Sequence, residues 1–238
     1  MKKILFITVL GLIFINCSPQ GVDNKYLIGG SFSYSHDDVA NNSTIRDQLI
    51  TASYFPYEKN YSNYFGFFGE FGFFLTQNNV LGIELGCTGN YSYQKSNNSG
   101  LTNPAILDSR STSIDLYPKY KFIKRFSDKI WFYTDFKIQF QYAIHKNVVS
   151  LINEETDGFN YLNMNGNGLS YGLSIAPGLI FKLNSKMGIK IDYSLINVVH
   201  STIKKANNSD IDFKDINAWD YGLNMKLSEL KIGIILII

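Results

Sequence analysis

The sequence of 238 residues predicts an all-β fold, an eight-stranded antiparallel up-and-down transmembrane β-barrel that is preceded by a signal peptide. Apolar and polar residues alternate with a period of two in eight segments, as in strands that have two different faces. Short turns and long polar loops connect these segments alternately, which is the connectivity of outer-membrane barrels. Charged residues make up only 18% of the chain, and a net charge of +2 lacks the basic stripe of a nucleic-acid-binding protein.

The N-terminus has the pattern of a secretory signal. Lys2 and Lys3 form a basic region, and the run from Ile4 to Ile15 is apolar and uncharged. A helix of this length reaches about 18 Å, which is short of the ~30 Å core of a bilayer. We therefore predict a signal peptide over residues 1–17, a short linker over 18–24 and the barrel over 25–238.

The two cysteines have different interpretations. Phe14 to Cys17 resembles a bacterial lipobox, in which the cysteine becomes the lipidated first residue, although Asn16 stands where a small residue is usual. Lipidation of Cys17 is therefore an expectation beside ordinary cleavage. Cys87 lies within a predicted strand and is interpreted as a small apolar residue; a disulfide between the two requires Cys17 to be retained and unmodified.

The strands follow the alternation in order along the chain. It is clearest where Phe136 and Ile138 share one face while Asp135 and Lys137 share the other. The eight segments are 25–36, 61–76, 80–94, 111–126, 130–145, 168–183, 187–203 and 219–238. The short turns are 77–79, 127–129 and 184–186, and the long polar loops are 37–60, 95–110, 146–167 and 204–218.

The charged face is predicted to line the lumen, and the apolar face is predicted to contact lipid. An eight-stranded barrel has an interior that side chains can just fill, so lumen charges should pair with one another. The predicted lumen charge network is Glu70, Glu84, Asp115, Lys119, Lys121, Asp135, Lys137, Lys190 and Asp192, and Lys182 and Lys231 have the same inward parity. A soluble barrel with the two faces exchanged is the alternative that alternation leaves open.

Four motifs carry a resemblance to a known family. The hairpins at Phe73–Gly82, Tyr117–Phe132 and Ile175–Gly188 resemble those of the bacterial outer-membrane protein β-barrel family, the eight-stranded kind related to OmpA transmembrane domains and OmpX. The last eight residues resemble the C-terminal assembly signal of that family, with Lys231, Gly233, Leu236 and Ile238 at its pattern positions. The resemblance implies the barrel-assembly machinery as a partner during biogenesis; Ile238 stands where the family has a terminal aromatic residue.

The sequence predicts no enzyme and no catalytic, cofactor or metal site. It contains no metal-binding or phosphate-binding motif among those with a known spacing. One type of lipid A deacylase places His and Ser two residues apart, on one strand face. Here His200 and Ser201 are adjacent and should point to opposite faces.

The predicted function is that of a small barrel in the bacterial cell outer membrane, with a structural or surface-interaction role through four long extracellular loops. Its expected partners are outer-membrane lipid and an unknown extracellular molecule that contacts the loops. A narrow pore for ions or small solutes is one alternative. A lipid-anchored periplasmic barrel that binds an apolar ligand, like a lipocalin, is the other.

Overall fold

The computed structural model describes residues 26–37, 57–96, 105–153, 158–209, 215–223 and 230–238, and these residues form strands and turns. None of the described residues belongs to a helix long and apolar enough to cross a membrane. The strands are β1 (Tyr26–Asp37), β2 (Tyr57–Thr76), β3 (Asn79–Ser96), β4 (Ala105–Arg125), β5 (Ile130–Asn153), β6 (Gly158–Lys182), β7 (Met187–Tyr193), β8 (Ile196–Lys205), β9 (Ile216–Leu223) and β10 (Leu230–Ile237).

The strands close into a ring. Each strand from β1 to β6 pairs antiparallel with the next along the chain, β6 pairs with β7, and β7 pairs with β10. The pairing of β1 with β10 completes the circle, with Leu27 opposite Ile237 and Phe32 opposite Ile232. Among the described residues, the ring formed by β1 to β7 and β10 therefore has a partner on both sides of every strand, which is the condition for a sheet to exist in lipid.

The ten strands occupy eight positions around the barrel wall, and we call each position a stave. Two of these staves each consist of two strands that follow one another along the chain. β7 and β8 both pair with β6, and β10 and β9 are their respective partners in the last stave. The predicted eight-stranded antiparallel up-and-down barrel is therefore confirmed. Residues 1–17 and 18–24, the predicted signal peptide and linker, lie outside the described residues.

A β-bulge separates β7 from β8. Gly178 of β6 is opposite Asp192, whereas Ile175 is opposite Ile196, so one extra residue lies on the seventh stave. Pro177 lies at this position in β6 and has no amide hydrogen to donate to a ladder. The extra residue exchanges the two faces of the stave, so even-numbered residues point inward in β7 and odd-numbered ones in β8.

The strands on the loop side are longer than predicted. β5 continues to Asn153 and β6 begins at Gly158, so the predicted loop 146–167 is wrong for most of its length. β4 likewise begins at Ala105, inside the predicted loop 95–110. The residues concerned mix polar and apolar side chains without a period of two, so they lack the alternation that identifies a strand, yet their backbones pair in register with the neighbouring strand.

Candidate functional site

The outer wall of the barrel is apolar and exposed. Ile114 is 68% exposed, Leu173 61% and Phe67 60%, and many other large apolar side chains point outward with them. On β4 the outward apolar residues lie between Thr112 and Lys124, a height of roughly 30 Å for a strand tilted by about 40°. This matches the hydrocarbon thickness of a bilayer.

The middle of the lumen holds a charged layer, which we define as Glu70, Glu84, Asp135, Asp192, Lys119, Lys121, Lys137, Lys190 and Lys231. Eight of these side chains are at most 4% exposed, and the side chain of Lys231 is 11% exposed. The ammonium groups of Lys119 and Lys190 both contact Glu70, the latter at 2.6 Å. Every charge of the layer has an opposite charge within 4.0 Å, which offsets the cost of removing it from water.

Glu84 is shared by three lysines from different strands. Its carboxylate accepts hydrogen bonds from Lys119 at 2.9 Å, Lys137 at 3.2 Å and Lys231 at 2.8 Å. The Lys231 ammonium also lies 3.3 Å from the centre of the Phe68 ring, a close cation–π contact. This carboxylate therefore ties the last stave to β3, β4 and β5.

Three carboxylates of the layer approach one another as ligands of a cation do. Oxygens of Glu70, Glu84 and Asp135 lie within 4.8 Å of one another. The Lys119 ammonium bonds to all three of these carboxylates, so a protein cation already occupies the position that a metal ion would take. The arrangement is an internal ion-pair network.

An apolar plug fills the lumen on the short-turn side of the charged layer. It consists of Leu27, Phe74, Val80, Ile123, Trp131, Tyr133, Ile180, Ile235 and Ile237, each at most 4% exposed. The Tyr133 hydroxyl donates to Asp192 at 3.0 Å, and its ring carries the Lys121 ammonium at 3.7 Å, so this side chain joins plug and layer. Sequence reasoning missed the plug.

Small hydroxyl side chains line the lumen on the loop side of the charged layer. This set comprises Ser31, Ser33, Ser35, Thr88, Ser92, Ser113, Ser170 and Ser174, all buried. Thr88 and Ser113 share a hydrogen bond of 2.5 Å, and Ser113 also donates to Asp115 at 3.0 Å. Asp115, predicted as part of the charge network, thus lies buried at the border between the hydroxyl and charged layers.

Glycines make room for the ring of Phe68, which lies two residues from Glu70 in the direction of the long loops. A β-carbon added at Gly66 or Gly86 would lie 2.7 Å or 2.6 Å from the ring of Phe68. Since no side chain fits at these two positions, the ring lies across the backbones of β2 and β3. Both glycines are buried on the inward face of their strands, as Phe68 is.

The remaining residues singled out in the sequence lie apart from the charged layer. Lys182 is half-buried near the short turns, where its ammonium lies 4.5 Å from the centre of the Trp131 ring. Cys87 is an exposed free thiol on the outer wall, opposite Phe67, and Cys17 lies outside the described residues. Of the predicted assembly-signal residues, Leu236 and Ile238 face outward.

The three histidines occupy three different environments. His145 is buried in the lumen, and His36 lies on the outer surface with its Nδ1 2.7 Å from the Asn63 side-chain oxygen. His200 packs on the outer wall between Tyr171 and Trp219, with ring centres 5.0 Å and 4.8 Å away. Ser201 instead shares a hydrogen bond with the buried Ser170, so His200 and Ser201 do point to opposite faces.

A cluster of tyrosines lies on the outer surface beyond the apolar wall on the loop side. The rings of Tyr61 and Tyr93 stack at 5.4 Å, and Tyr91 lies 6.0 Å from Tyr61. The Arg110 guanidinium is 5.4 Å from the Tyr91 ring and is paired with Asp108 at 3.2 Å. We call these five residues the tyrosine cluster.

No family model matches the sequence, and no curated protein matches it. Among solved structures, the chain is similar to Neisserial surface protein A, with 9% identity, coverage of 90% of this chain and 96% of the other, and a TM-score of 0.28. It is similar to the N-terminal β-barrel domain of Pseudomonas aeruginosa OprF, with 11% identity, coverage of 90% and 98%, and a TM-score of 0.26. It is also similar to Ail of Yersinia pestis, with 10% identity, coverage of 91% and 96%, and a TM-score of 0.31. At these scores the function has to be inferred from the chain itself.

Proposed function

We propose that this protein is a barrel of the bacterial outer membrane that presents a rigid binding surface on the side of its long loops. The observation that carries the proposal is that charged side chains are buried inside the barrel while apolar side chains are exposed on its outside. Buried charges such as Lys121 and Asp135 occupy the lumen, while phenylalanines and isoleucines cover the outside. A soluble monomer rarely exposes so large an apolar surface, whereas a barrel in lipid requires it.

The length of β5 and β6 supports the proposal that the protein presents a rigid binding surface on the side of its long loops. About ten residues of a tilted strand span a bilayer, whereas β5 contains 24 residues and β6 contains 25. β5 continues from Lys146 to Asn153 beyond Ile144, the last exposed large apolar residue that the structure describes on this strand, so the β5–β6 hairpin extends roughly 20 Å beyond the bilayer as a paired ladder. A paired hairpin loses less conformational entropy on binding than a flexible loop, because its backbone is already ordered.

The tyrosine cluster supports a role in binding. Tyr and Arg are enriched among the residues that dominate the energy of protein interfaces. Tyr91 and Arg110 are held in place by the contacts with each other and with Asp108, so they are preorganised for an extracellular partner. We propose that a protein partner contacts this cluster.

The filled lumen favours binding over conduction. The plug residues Ile180, Ile123 and Ile235 have no exposed surface, and the charged layer lies directly beside them. A stable open channel would require both layers to separate. The lipocalin-like alternative requires an apolar binding cavity at the centre of the barrel, where the structure places paired charges.

Proteolysis of intact cells tests the topology. A glutamate-specific protease should cleave at Glu154 or Glu155, in the sequence between β5 and β6. Trypsin should leave Lys129 and Lys186 uncut from outside, because their turns face the other side of the membrane. The unboiled protein should also migrate anomalously in gels. Trypsin cleavage at Lys129 in intact cells would contradict the proposal.

Thiol labelling tests the outer wall. Cys87 should react with a lipid-soluble maleimide and resist a water-soluble one, because its exposed thiol faces hydrocarbon. Peptide mapping separates its label from any label on Cys17. Efficient labelling of Cys87 by the water-soluble reagent in the folded protein would place this face in water.

A further inference from the structure

Two of the three short turns are joined into one basic surface. The Lys182 amide donates a hydrogen bond of 2.8 Å to the Lys129 carbonyl, which links the β4–β5 turn to the β6–β7 turn. These turns and the strand ends beside them carry Arg125, Lys129, Lys182 and Lys186, which we call the basic turn cluster. Among the described residues, no carboxylate forms an ion pair with any of the four, and Asp128 is the only acidic residue in the two turns.

Two of these cations are held on one aromatic ring. The Arg125 guanidinium lies 4.8 Å from the centre of the Trp131 ring, and the Lys182 ammonium lies 4.5 Å from it. Each contact is attractive, yet together they bring two like charges close to each other at the end of the plug. An anion placed between these groups would relieve that repulsion.

The same turns expose large apolar side chains. Phe126 is 83% exposed and Leu183 is 57% exposed, each beside a cation of the cluster. Apolar side chains next to lysine and arginine are typical of the depth at which lipid headgroups meet acyl chains. Both turns are therefore suited to the headgroup region of the leaflet on the short-turn side.

The third short turn provides an internal contrast. It contains Gln77 and Asn78, and the Thr76 hydroxyl accepts from the Asn78 amide at 3.2 Å and from the Asn79 side chain at 2.7 Å. It carries neither a charge nor a large apolar side chain. Among the three described short turns, the cationic and apolar character thus belongs to the β4–β5 and β6–β7 turns.

We infer that the basic turn cluster binds the phosphate of an anionic phospholipid in the leaflet on the short-turn side. This inference rests on the proposed membrane function. Lys129 and Lys186 supply the contacts in the two turns, Arg125 and Lys182 reach toward the phosphate from the inward side over Trp131, and Phe126 and Leu183 on the outward side contact the upper part of the acyl chains. Charge complementarity selects the occupant, because a zwitterionic headgroup offers no net negative charge to the four cations.

Lipid retention by the full chain tests this inference. The protein is refolded into vesicles that contain equal amounts of phosphatidylglycerol and phosphatidylcholine and is then extracted in mild detergent. Native mass spectrometry counts the lipids that remain bound. We expect phosphatidylglycerol to be retained in preference to phosphatidylcholine, and we expect the preference to fall as salt is added before extraction.

Two double variants identify the cations responsible. Arg125→Gln with Lys182→Gln should lower the preference for phosphatidylglycerol by about fivefold or more, from the usual contribution of each cation near an anionic surface. Lys129→Gln with Lys186→Gln should also lower it and leaves the Trp131 contacts in place, so the test survives if the first variant misfolds. Lys146→Gln with Lys204→Gln removes the same charge from the loop side and should leave the preference unchanged.

Equal retention of the two lipids by the unmodified protein overturns the inference, as does an unchanged preference in a folded variant of the cluster. Binding of soluble polyglutamate by the cluster, without any preference between the lipids, would identify a soluble acidic partner instead and also overturns it. Insertion is measured separately by heat-modifiable gel mobility. A barrel that does not insert contradicts the proposed function, whereas an inserted barrel without lipid preference contradicts this inference alone.

Discussion

The charged layer and the apolar plug occupy neighbouring levels of one lumen and are stabilised by different forces. Glu84 and Val80 lie four residues apart on the same face of β3, at 0% and 2% exposure. Glu84 is held by three directional contacts with lysines, whereas Val80 is held by the packing of apolar neighbours. Burial thus does not select apolar residues in this barrel; it selects residues whose neighbours satisfy them.

The difference predicts different responses to substitution. A plug residue that is truncated loses contacts and leaves a cavity, and the loss grows with the volume removed. A charged residue that is neutralised leaves its partners buried without compensation. Five lysines share four carboxylates in the charged layer, so removal of a carboxylate and removal of a lysine should differ in effect.

The largest effect is expected for Glu84→Gln. The amide keeps the shape of the side chain but leaves Lys119, Lys137 and Lys231 without their shared negative charge. The free energy of unfolding should fall by about 3–5 kcal/mol. Urea unfolding in lipid vesicles, followed by tryptophan fluorescence, measures it, and Asp220→Asn on the exposed surface is the control. A loss no larger than that of the control would contradict the role of the charged layer.

A somewhat smaller effect is expected in the plug for Ile180→Ala. Its side chain has no exposed surface, so truncation should leave a cavity and lower the free energy of unfolding by about 3 kcal/mol. The adjacent Leu179→Ala lies on the outer wall, where lipid can fill the vacated space, and should cost less. The same vesicle unfolding measurement compares the two; equal losses would mean that the plug is not tightly packed.

The outer wall extends the comparison to a third environment. Ile138→Lys places a charge in hydrocarbon and should lower the free energy of unfolding by about 2–4 kcal/mol near the bilayer midplane. Gln139→Lys enters the polar lumen, where Gln139 now donates to Asn197 at 3.2 Å, and should cost less. The paired measurement in vesicles checks both. A larger loss for Gln139→Lys would indicate that the two faces are exchanged.

The smallest effect is expected for Lys231→Met. This change leaves four lysines with four carboxylates in the charged layer, and the thioether can still pack against Phe68. The free energy of unfolding should change by less than about 1 kcal/mol, because Glu84 keeps the ammonium groups of Lys119 and Lys137 as partners and no buried charge is left without compensation. A loss as large as that of Glu84→Gln, measured in the same vesicles, would show that charge balance does not govern this layer.

Alternation in the sequence was enough to predict the ring and the contents of the charged layer. Phe136 and Lys137 illustrate why, since one lies on the exposed outer wall and the other in the buried polar lumen, so that neighbouring residues must differ in kind. The structure buries the nine residues of the predicted lumen charge network and pairs most of them across the lumen. Because the outer wall and the lumen differ in polarity, the sequence pattern identifies the strands and their inward faces in this part of the fold.

The plug, the extended strand ends and the bulge could not be predicted, because the two faces of the strand do not differ in polarity there. At the plug, Phe122 faces lipid and Ile123 faces apolar neighbours, so both faces read alike. Beyond the bilayer, Lys146 and Asn147 are polar on both faces, and the strand was interpreted as a loop. The bulge between β7 and β8 depends on the pairing with β6, which no pattern within the seventh stave reveals.

The seam between β1 and β10 determines when the barrel can be finished. Leu27 pairs with Ile237, 210 positions further along the chain, so the barrel stays open until its last strand, β10, pairs with β1. Lys231 reaches Glu84 across a separation of 147 residues, and Lys190 reaches Glu70 across 120. The ion pairs at the centre therefore form late, and until then β1 and β10 expose unpaired edges that invite aggregation. Slow closure, followed by locking of the charged layer, is the kinetic consequence of this topology.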